Sequence, residues 1–292
     1  MSVGRARAWG AVSVVNGIAT GEGASMAVGL STTATVELIE ETDAIEVSIG
    51  GDPGEDPTLA REVVRRVCVR AGVAHGARVA TESDIPVSRG LKSSSAAANA
   101  VALATNEALK ILEGRGLPER DLLDCAIDAA LAAKVTITGA FDDATASLHG
   151  GLSVTDNRAR KVYARHAPPA GHVAVVRVPD RKVRTLAVRD LAYDAIAPVA
   201  RRAHALARSN EWAEAMTLNG LAYGALYGID PAPALAALAA GARGASVSGT
   251  GPAIAAIAPE GKADAVARAL AGGDARVVTV PLVSSKAEVI SC

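Results

Sequence analysis

Pro86-Val-Ser-Arg-Gly-Leu-Lys-Ser-Ser-Ser-Ala-Ala-Ala-Asn-Ala100 is a loop rich in glycine and serine that runs straight into an alanine-rich helical pattern, 96–112. The first turn of such a helix leaves backbone N–H groups without intrahelical partners and carries the positive end of the macrodipole. Phosphate oxygens fit there. Serine hydroxyls add donors or a metal ligand, and Lys92 stands within reach of the same anion. A serine N-cap among surface polar residues would read the same way. The stretch is not a Walker A loop, because no Gly-Lys-[Ser/Thr] occurs in the chain.

Working outward, the first 50 residues read as strands, with β-branched residues concentrated in 33–39 and 44–49 and Gly50-Gly51 closing the second. Asp56-Pro57 starts a helix in which Val63, Val64, Val67, Cys68 and Ala71 share a face and which Gly72 ends. A strand is expected over 77–81. Pro118 opens another helix, with Leu122, Leu123, Ala126, Ile127, Ala130 and Leu131 as its seam. Beyond Gly150-Gly151 come a strand (173–178) and three helical patterns (190–208, 211–227, 233–240). A strand-like 245–248, a glycine turn, a strand (253–258), a helix (262–271) and a strand (276–282) complete the chain. Strands and helices alternate without a strict parallel rhythm. The fold class is α+β in two halves, with the seam inside 151–172 and set at 155/156.

The 292 residues carry 30 Lys+Arg against 31 Asp+Glu, a net charge of -1. That balance excludes the basic footprint of a nucleic-acid binder, and 2% aromatics leave little for base stacking. Half the residues are hydrophobic and 21% charged, which excludes a disordered chain. No stretch is suited to span a bilayer. Arg5 and Arg7 precede an apolar run, but Gly10, Asn16, Gly17 and Gly21 interrupt it, unlike a signal peptide. Cys68, Cys125 and Cys292 have neither metal nor redox spacing. A cytoplasmic protein with small-molecule partners, and neither nucleic acid nor membrane, is expected. The oligomeric state is not legible.

Two further stretches bear chemistry. Gly244-Ala-Ser-Val-Ser-Gly-Thr-Gly-Pro-Ala253 is a tight turn between short strands, where another backbone can approach closely. It reads equally as a plain hairpin turn, and it lacks the spacing of a dinucleotide fingerprint, which argues against an oxidoreductase. Thr136-Ile-Thr-Gly-Ala-Phe-Asp-Asp-Ala144, followed by His149-Gly150-Gly151, sets two adjacent carboxylates in an apolar surround. A carboxylate so placed can deprotonate an acceptor hydroxyl in phosphoryl transfer, or simply cap a helix.

In combination and order, these three stretches resemble the motifs of the galactokinase, homoserine kinase, mevalonate kinase and phosphomevalonate kinase (GHMP) superfamily across essentially the whole chain. The strings Gly90 to Ala100 and Thr138 to Ala144 are most similar to the archaeal-type shikimate kinases, and 8–30 is similar to their N-terminal acceptor segment. The resemblance implies a GHMP kinase fold, with an N-terminal half like domain 2 of ribosomal protein S5 and a ferredoxin-like C-terminal half. It implies ATP-dependent phosphorylation of the 3-hydroxyl of shikimate, with Mg²⁺, in aromatic amino-acid biosynthesis. The alternatives are another kinase of the superfamily, such as a homoserine kinase, or a relative that binds nucleotide without turnover.

Carried over by position, Pro86, Arg89, Gly90, Leu91, Lys92, Ser93, Ser94, Ser95 and Ala96 would cradle the triphosphate, with Gly249, Thr250 and Gly251 from the other half. Ser94 would bind Mg²⁺, and Lys92 would neutralise charge. The catalytic carboxylate is Asp142 or Asp143. A glycine seven residues on, Gly150, favours Asp143, whereas the wording of relatives with Asp-Asn-Ala favours Asp142. Relatives place a magnesium-binding Glu eleven residues before the catalytic position. Here that place holds Ala132; Asp128, a turn earlier, would be a substitute, although it reads more readily as an exposed helical Asp. Asn16 and Thr32 would meet acceptor hydroxyls. The acceptor's carboxylate calls for a cation from Arg5, Arg7, Arg89 or the cluster 181–184.

Overall fold

The structure, a computed structural model, describes residues 2–50, 55–181, 183 and 188–291. Gly51, Lys182, Arg184 and Cys292 lie outside the described residues. The strand-rich N-terminus forms two long strands, β1 (Ser2–Val15) and β2 (Glu22–Ile39), paired antiparallel with irregularities at Trp9/Gly10 and Ser13/Val15. β2 is long enough to take two partners. Its second half pairs with β4 (Gly76–Ser83), and its first five residues pair with β5 (Leu152–Asp156). β3 (Ile45–Ile49) lies parallel to β4, so the chain crosses over between them through α1 (Thr58–Ala71).

Helices α1, α2 (Ser93–Glu113), α3 (Glu119–Ala132) and α4 (Phe141–His149) follow in the N-terminal half. Ala96, Ala100, Ala104 and Ala108 of α2 recur every four residues on one face, and each is fully buried. Small side chains at this spacing let the helix lie close to its neighbours, and Val36, Leu38, Val63, Val67 and Leu109 complete the core there.

The second sheet is antiparallel, in the order β10-β7-β9-β8: β7 (His172–Pro179), β8 (Gly244–Val247), β9 (Ile254–Pro259), β10 (Ala275–Pro281). Its helices are α5 (Ala197–Arg208), α6 (Trp212–Tyr227), α7 (Ala232–Ala239) and α8 (Ala263–Leu270). Alternation along β7 divides the core. Val175 packs with Ala237, Val266 and Leu270 of α7 and α8. Ala174, Val176 and Val178 face a core shared with Val12, Met26 and Val154 of the first sheet. This shared core fixes the two sheets against each other.

The hairpin of β5 and β6 (Lys161–His166) was not expected from sequence, and it carries the first sheet past the 155/156 seam to His166. A two-residue strand, β11 (Glu288–Val289), returns the C-terminus to β1. The pattern at 190–208 is α-helical only from Ala197, because Pro198 is tolerated only in a first turn. α2 begins at Ser93 rather than Ala96, so the serines belong to its first turn.

Candidate functional site

Lys92 caps α2 in the left-handed region (φ 61°), which swings the chain from loop into helix and leaves Ser93, Ser94 and Ser95 as the first turn. Among the described residues the hydroxyls of Ser93 and Ser94 have no hydrogen-bond partner, and both residues line a cleft of about 530 Å³. Gly90 lies at φ 89°, and a Cβ there would come 2.0 Å from the Ser248 carbonyl oxygen. Only glycine permits that approach. Ser248 Oγ donates to the Gly90 carbonyl (2.7 Å) and accepts from the Ser13 N–H (3.1 Å), while the Gly249 N–H donates to Ser13 Oγ (3.0 Å). The serine loop, the glycine turn after β8 and the end of β1 are thereby clamped together. Gly249 and Thr250 line the same cleft as Ser94.

The carboxylates enter from the opposite wall. Ala140 (φ 47°) turns the chain into α4, whose first turn holds Asp142 and Asp143, 3% and 7% exposed. Lys92 Nζ lies 2.9 Å from Asp143 Oδ1, an ion pair bridging the starts of α2 and α4. Ser25 on β2 sits between the two acids, its Oγ 3.0 Å from Asp142 Oδ2 and 2.5 Å from Asp143 Oδ1. Asn157 holds Asp142 from the other side. Its Nδ2 donates to Asp142 Oδ1 (2.8 Å), and its Oδ1 accepts the Asp142 backbone N–H (3.0 Å) and the Thr155 hydroxyl (2.7 Å). Gly23 makes room, since a Cβ there would fall 2.6 Å from Asp142 Oδ2. Burial, and then the negative charge of Asp143, push the Asp142 carboxyl up to about 7; Lys92, Asn157 and Ser25 offset part of that.

Several residues expected from sequence meet in this cleft: Gly90, Lys92, Ser93, Ser94, Gly249, Thr250, Asn16, Thr32, Asp142 and Asp143 all line it. Pro86, Leu91 and Ala96 are buried beneath the loop. Two lining residues are already committed. Asn16 donates to the Gly249 carbonyl (2.7 Å) and accepts from the Ile18 N–H (3.0 Å), and the Thr32 hydroxyl pairs with Ser83 Oγ (2.8 Å).

Arg89 turns its guanidinium onto the carbonyls of Pro179 and Asp180, both at 2.8 Å, and so ties the loop to β7 instead of facing an anion. Asp128 lies apart from these residues. It pairs with Arg160, which also binds Asp124 (3.1 Å), and it does not line the cleft. Arg7 pairs with Glu288 (3.3 Å), and neither it nor Arg5 lines the cleft. Among the described residues the cleft cations are Lys92 and Lys134, and no group of three His, Cys, Asp or Glu side chains is arranged to hold a metal. Also among the described residues, no helix is long and apolar enough to cross a membrane.

Sequence reading missed Ser25, Asn157 and Lys134. Ser25 is an inward polar residue in a strand and Asn157 follows one. Neither position carries a local signal of the acids that reach it.

Residues 58–151 match the family model for the N-terminal domain of GHMP kinases, and residues 203–273 match that for their C-terminal domain. The chain is 40% identical over 265 residues to a shikimate kinase of Methanococcoides burtonii, covering 91% of this chain and 90% of that protein. It is 42% identical over 261 residues to a shikimate kinase of Halobacterium salinarum, covering 88% and 89%. Among solved structures, a homoserine kinase from Cytophaga hutchinsonii superposes with a TM-score of 0.80 at 21% identity, covering 99% of this chain and 98% of that one. The mevalonate kinase of Methanococcus jannaschii superposes with a TM-score of 0.72 at 14% identity, covering 96% and 98%. At those identities the structural likeness concerns the fold.

Proposed function

The chain belongs to the GHMP kinase family, and we infer that it is a shikimate kinase, which transfers the γ-phosphoryl group of ATP to the 3-hydroxyl of shikimate. Its two-sheet architecture is the GHMP kinase fold. The choice of acceptor rests on relatives of about 40% identity that span nine tenths of the chain. The chemistry rests on one observation, the Lys92–Asp143 pair set beside the free N-terminus of α2.

The triphosphate is assigned to the loop from Gly90 to Ala96, where the first-turn N–H groups and the Ser93 and Ser94 hydroxyls are available to its oxygens. The glycine turn at 249–251 closes the cradle from the other half. Mg²⁺ fits here with phosphate oxygens as most of its ligands and the Ser94 hydroxyl as a protein ligand, because among the described residues no group of three His, Cys, Asp or Glu side chains is arranged to hold it. When bound, the ion supplies neutralisation of phosphate charge.

Asp143 takes the proton of the acceptor hydroxyl as that oxygen bonds to the γ-phosphorus. The bond from the γ-phosphorus to the bridging oxygen breaks, and ADP leaves with that electron pair. Lys92 balances the charge of Asp143 and of the phosphates, and most of the rate gain comes from holding the groups in line.

The test offers shikimate, homoserine and mevalonate to the purified protein with ATP and Mg²⁺ and follows ADP release. Shikimate is expected to be turned over in preference to both others. Preference for homoserine or mevalonate would overturn the acceptor. Retained ATP binding with no ADP release would favour a non-catalytic nucleotide-binding relative.

A further inference from the structure

Ser25 Oγ contacts two buried carboxylates at 3.0 and 2.5 Å, yet a hydroxyl has one proton to donate. With both acids ionised, one of these contacts would set lone pairs against lone pairs between carboxyl groups only 3% and 7% exposed. A single extra proton resolves this, and the surroundings decide where it sits. Asp143 Oδ1 faces the Lys92 ammonium at 2.9 Å, so that oxygen already has a cationic partner. Among the described residues no cation forms an ion pair with Asp142, and Lys92 reaches it only past Asp143. The Oδ1 of Asp142 is occupied by the Asn157 amide, leaving Oδ2, which faces Ser25, as the oxygen that carries hydrogen.

We propose that Asp142, Ser25 and Asp143 form a directed hydrogen-bond chain: protonated Asp142 donates from Oδ2 to Ser25 Oγ, and Ser25 donates to Oδ1 of ionised Asp143. Ser25 and Asp142 are then positioning residues. They pin one oxygen of Asp143 and leave Oδ2, which has no side-chain partner among the described residues, to receive the acceptor's proton. The inference rests on the kinase reading above.

The charged groups around Asp142 are few. Asp143 lies beside it on α4, and Lys92 comes from α2. Arg120 of α3 sits over the Phe141 ring at 5.3 Å, and the Tyr223 hydroxyl of α6 lies further off. The upward displacement of the Asp142 carboxyl, caused first by burial, agrees with the chain drawn from geometry. It also predicts that the chain breaks as Asp142 ionises above neutral pH.

The decisive comparison is among Asp142→Asn, Asp143→Asn and Ser25→Ala, with shikimate and ATP as substrates and rates measured from pH 5 to 9. An asparagine at 142 can donate to Ser25 from its amide, as the protonated acid does, so Asp142→Asn is expected to lower kcat by less than about tenfold. The decline in kcat above neutral pH that belongs to Asp142 should vanish in it. Asp143→Asn should lower kcat by about a hundredfold or more. Ser25→Ala should lower kcat about tenfold or more with little change in the KM for ATP, and should lose the decline above neutral pH, because the ionisation of Asp142 no longer reaches Asp143 through a hydroxyl.

Asp142→Asn as inactive as Asp143→Asn would overturn the proposal, and so would Ser25→Ala with the wild-type rate and pH profile. Should Ser25→Ala fail to fold by circular dichroism, the asparagine pair still decides. A wild-type protein that does not turn over shikimate sinks the kinase reading instead, an outcome distinct from these.

Discussion

Gly90 is the residue on which the joint between the two halves turns. Its positive φ and the 2.0 Å approach to the Ser248 carbonyl leave no place for a methyl group. Gly90→Ala should cost about 1–3 kcal/mol in backbone strain alone and displace the serine loop from the glycine turn. A lower denaturation midpoint together with a higher KM for ATP is the expected result. Asp128 makes the opposite case. Its carboxylate faces Arg160 on a partly exposed surface, outside the cleft. Asp128→Asn should change stability by about 0–1 kcal/mol and leave the Mg²⁺ concentration for half-maximal rate where it was. A several-fold rise in that concentration would restore Asp128 as a metal ligand. At this scale the serine loop, the glycine turn and the acid pair were legible, because each is a contiguous string with unusual residue types. Ser25 and Asn157 were not, because their roles arise where β2 and the end of β5 bring distant positions together.

Among the elements, α6 matters beyond its packing. Tyr223 is fully buried; its hydroxyl donates to the Asn16 carbonyl (2.7 Å) and accepts the Ala19 N–H (3.1 Å). Asn219 accepts the Asn16 N–H (2.7 Å) and donates to Ser246 Oγ (2.7 Å). Thus α6 fixes the turn after β1, and Asn16 in turn holds the Gly249 carbonyl at the cleft. Tyr223→Phe leaves a buried N–H and a buried carbonyl unpaired, which should cost about 1–3 kcal/mol, measurable as a shift in urea midpoint. An unchanged midpoint would mean that water replaces the hydroxyl.

Helix α6 was readable as a helical pattern over 211–227, α2 from its alanine-rich run and α3 from its apolar seam. The hairpin of β5 and β6 escaped. β5 is buried along most of its length and so lacks strict alternation, and β6 is mostly polar at the sheet edge.

For the whole molecule, the acid pair also sets a pH dependence of stability. Asp142 in the folded chain titrates at about 7, above the value of about 3.9 for an aspartate in an unfolded chain. Between those values the folded state binds the extra proton, so this group favours folding at low pH. Its contribution fades as pH rises toward and through 7. Asp142→Asn should therefore show a smaller loss of stability than the wild type between pH 5 and 8 in urea titrations. A parallel pair of curves would contradict the assignment.

The near-neutral charge of the chain is compatible with anionic ligands, because the site gathers its positive potential locally, from one helix N-terminus and Lys92. The alanine-rich run that follows the serine loop forms the buried face of α2 beneath the phosphate loop. The α+β class and the division into two halves could be read from the order of elements, whereas the core shared between the sheets could not. Phosphorus NMR of the product formed from ATP and shikimate tests the central claim most directly. A single phosphomonoester coupled to the proton on carbon 3, formed in equal amount to ADP, is the predicted result. ADP with only inorganic phosphate, or a phosphoester at another hydroxyl, would contradict it.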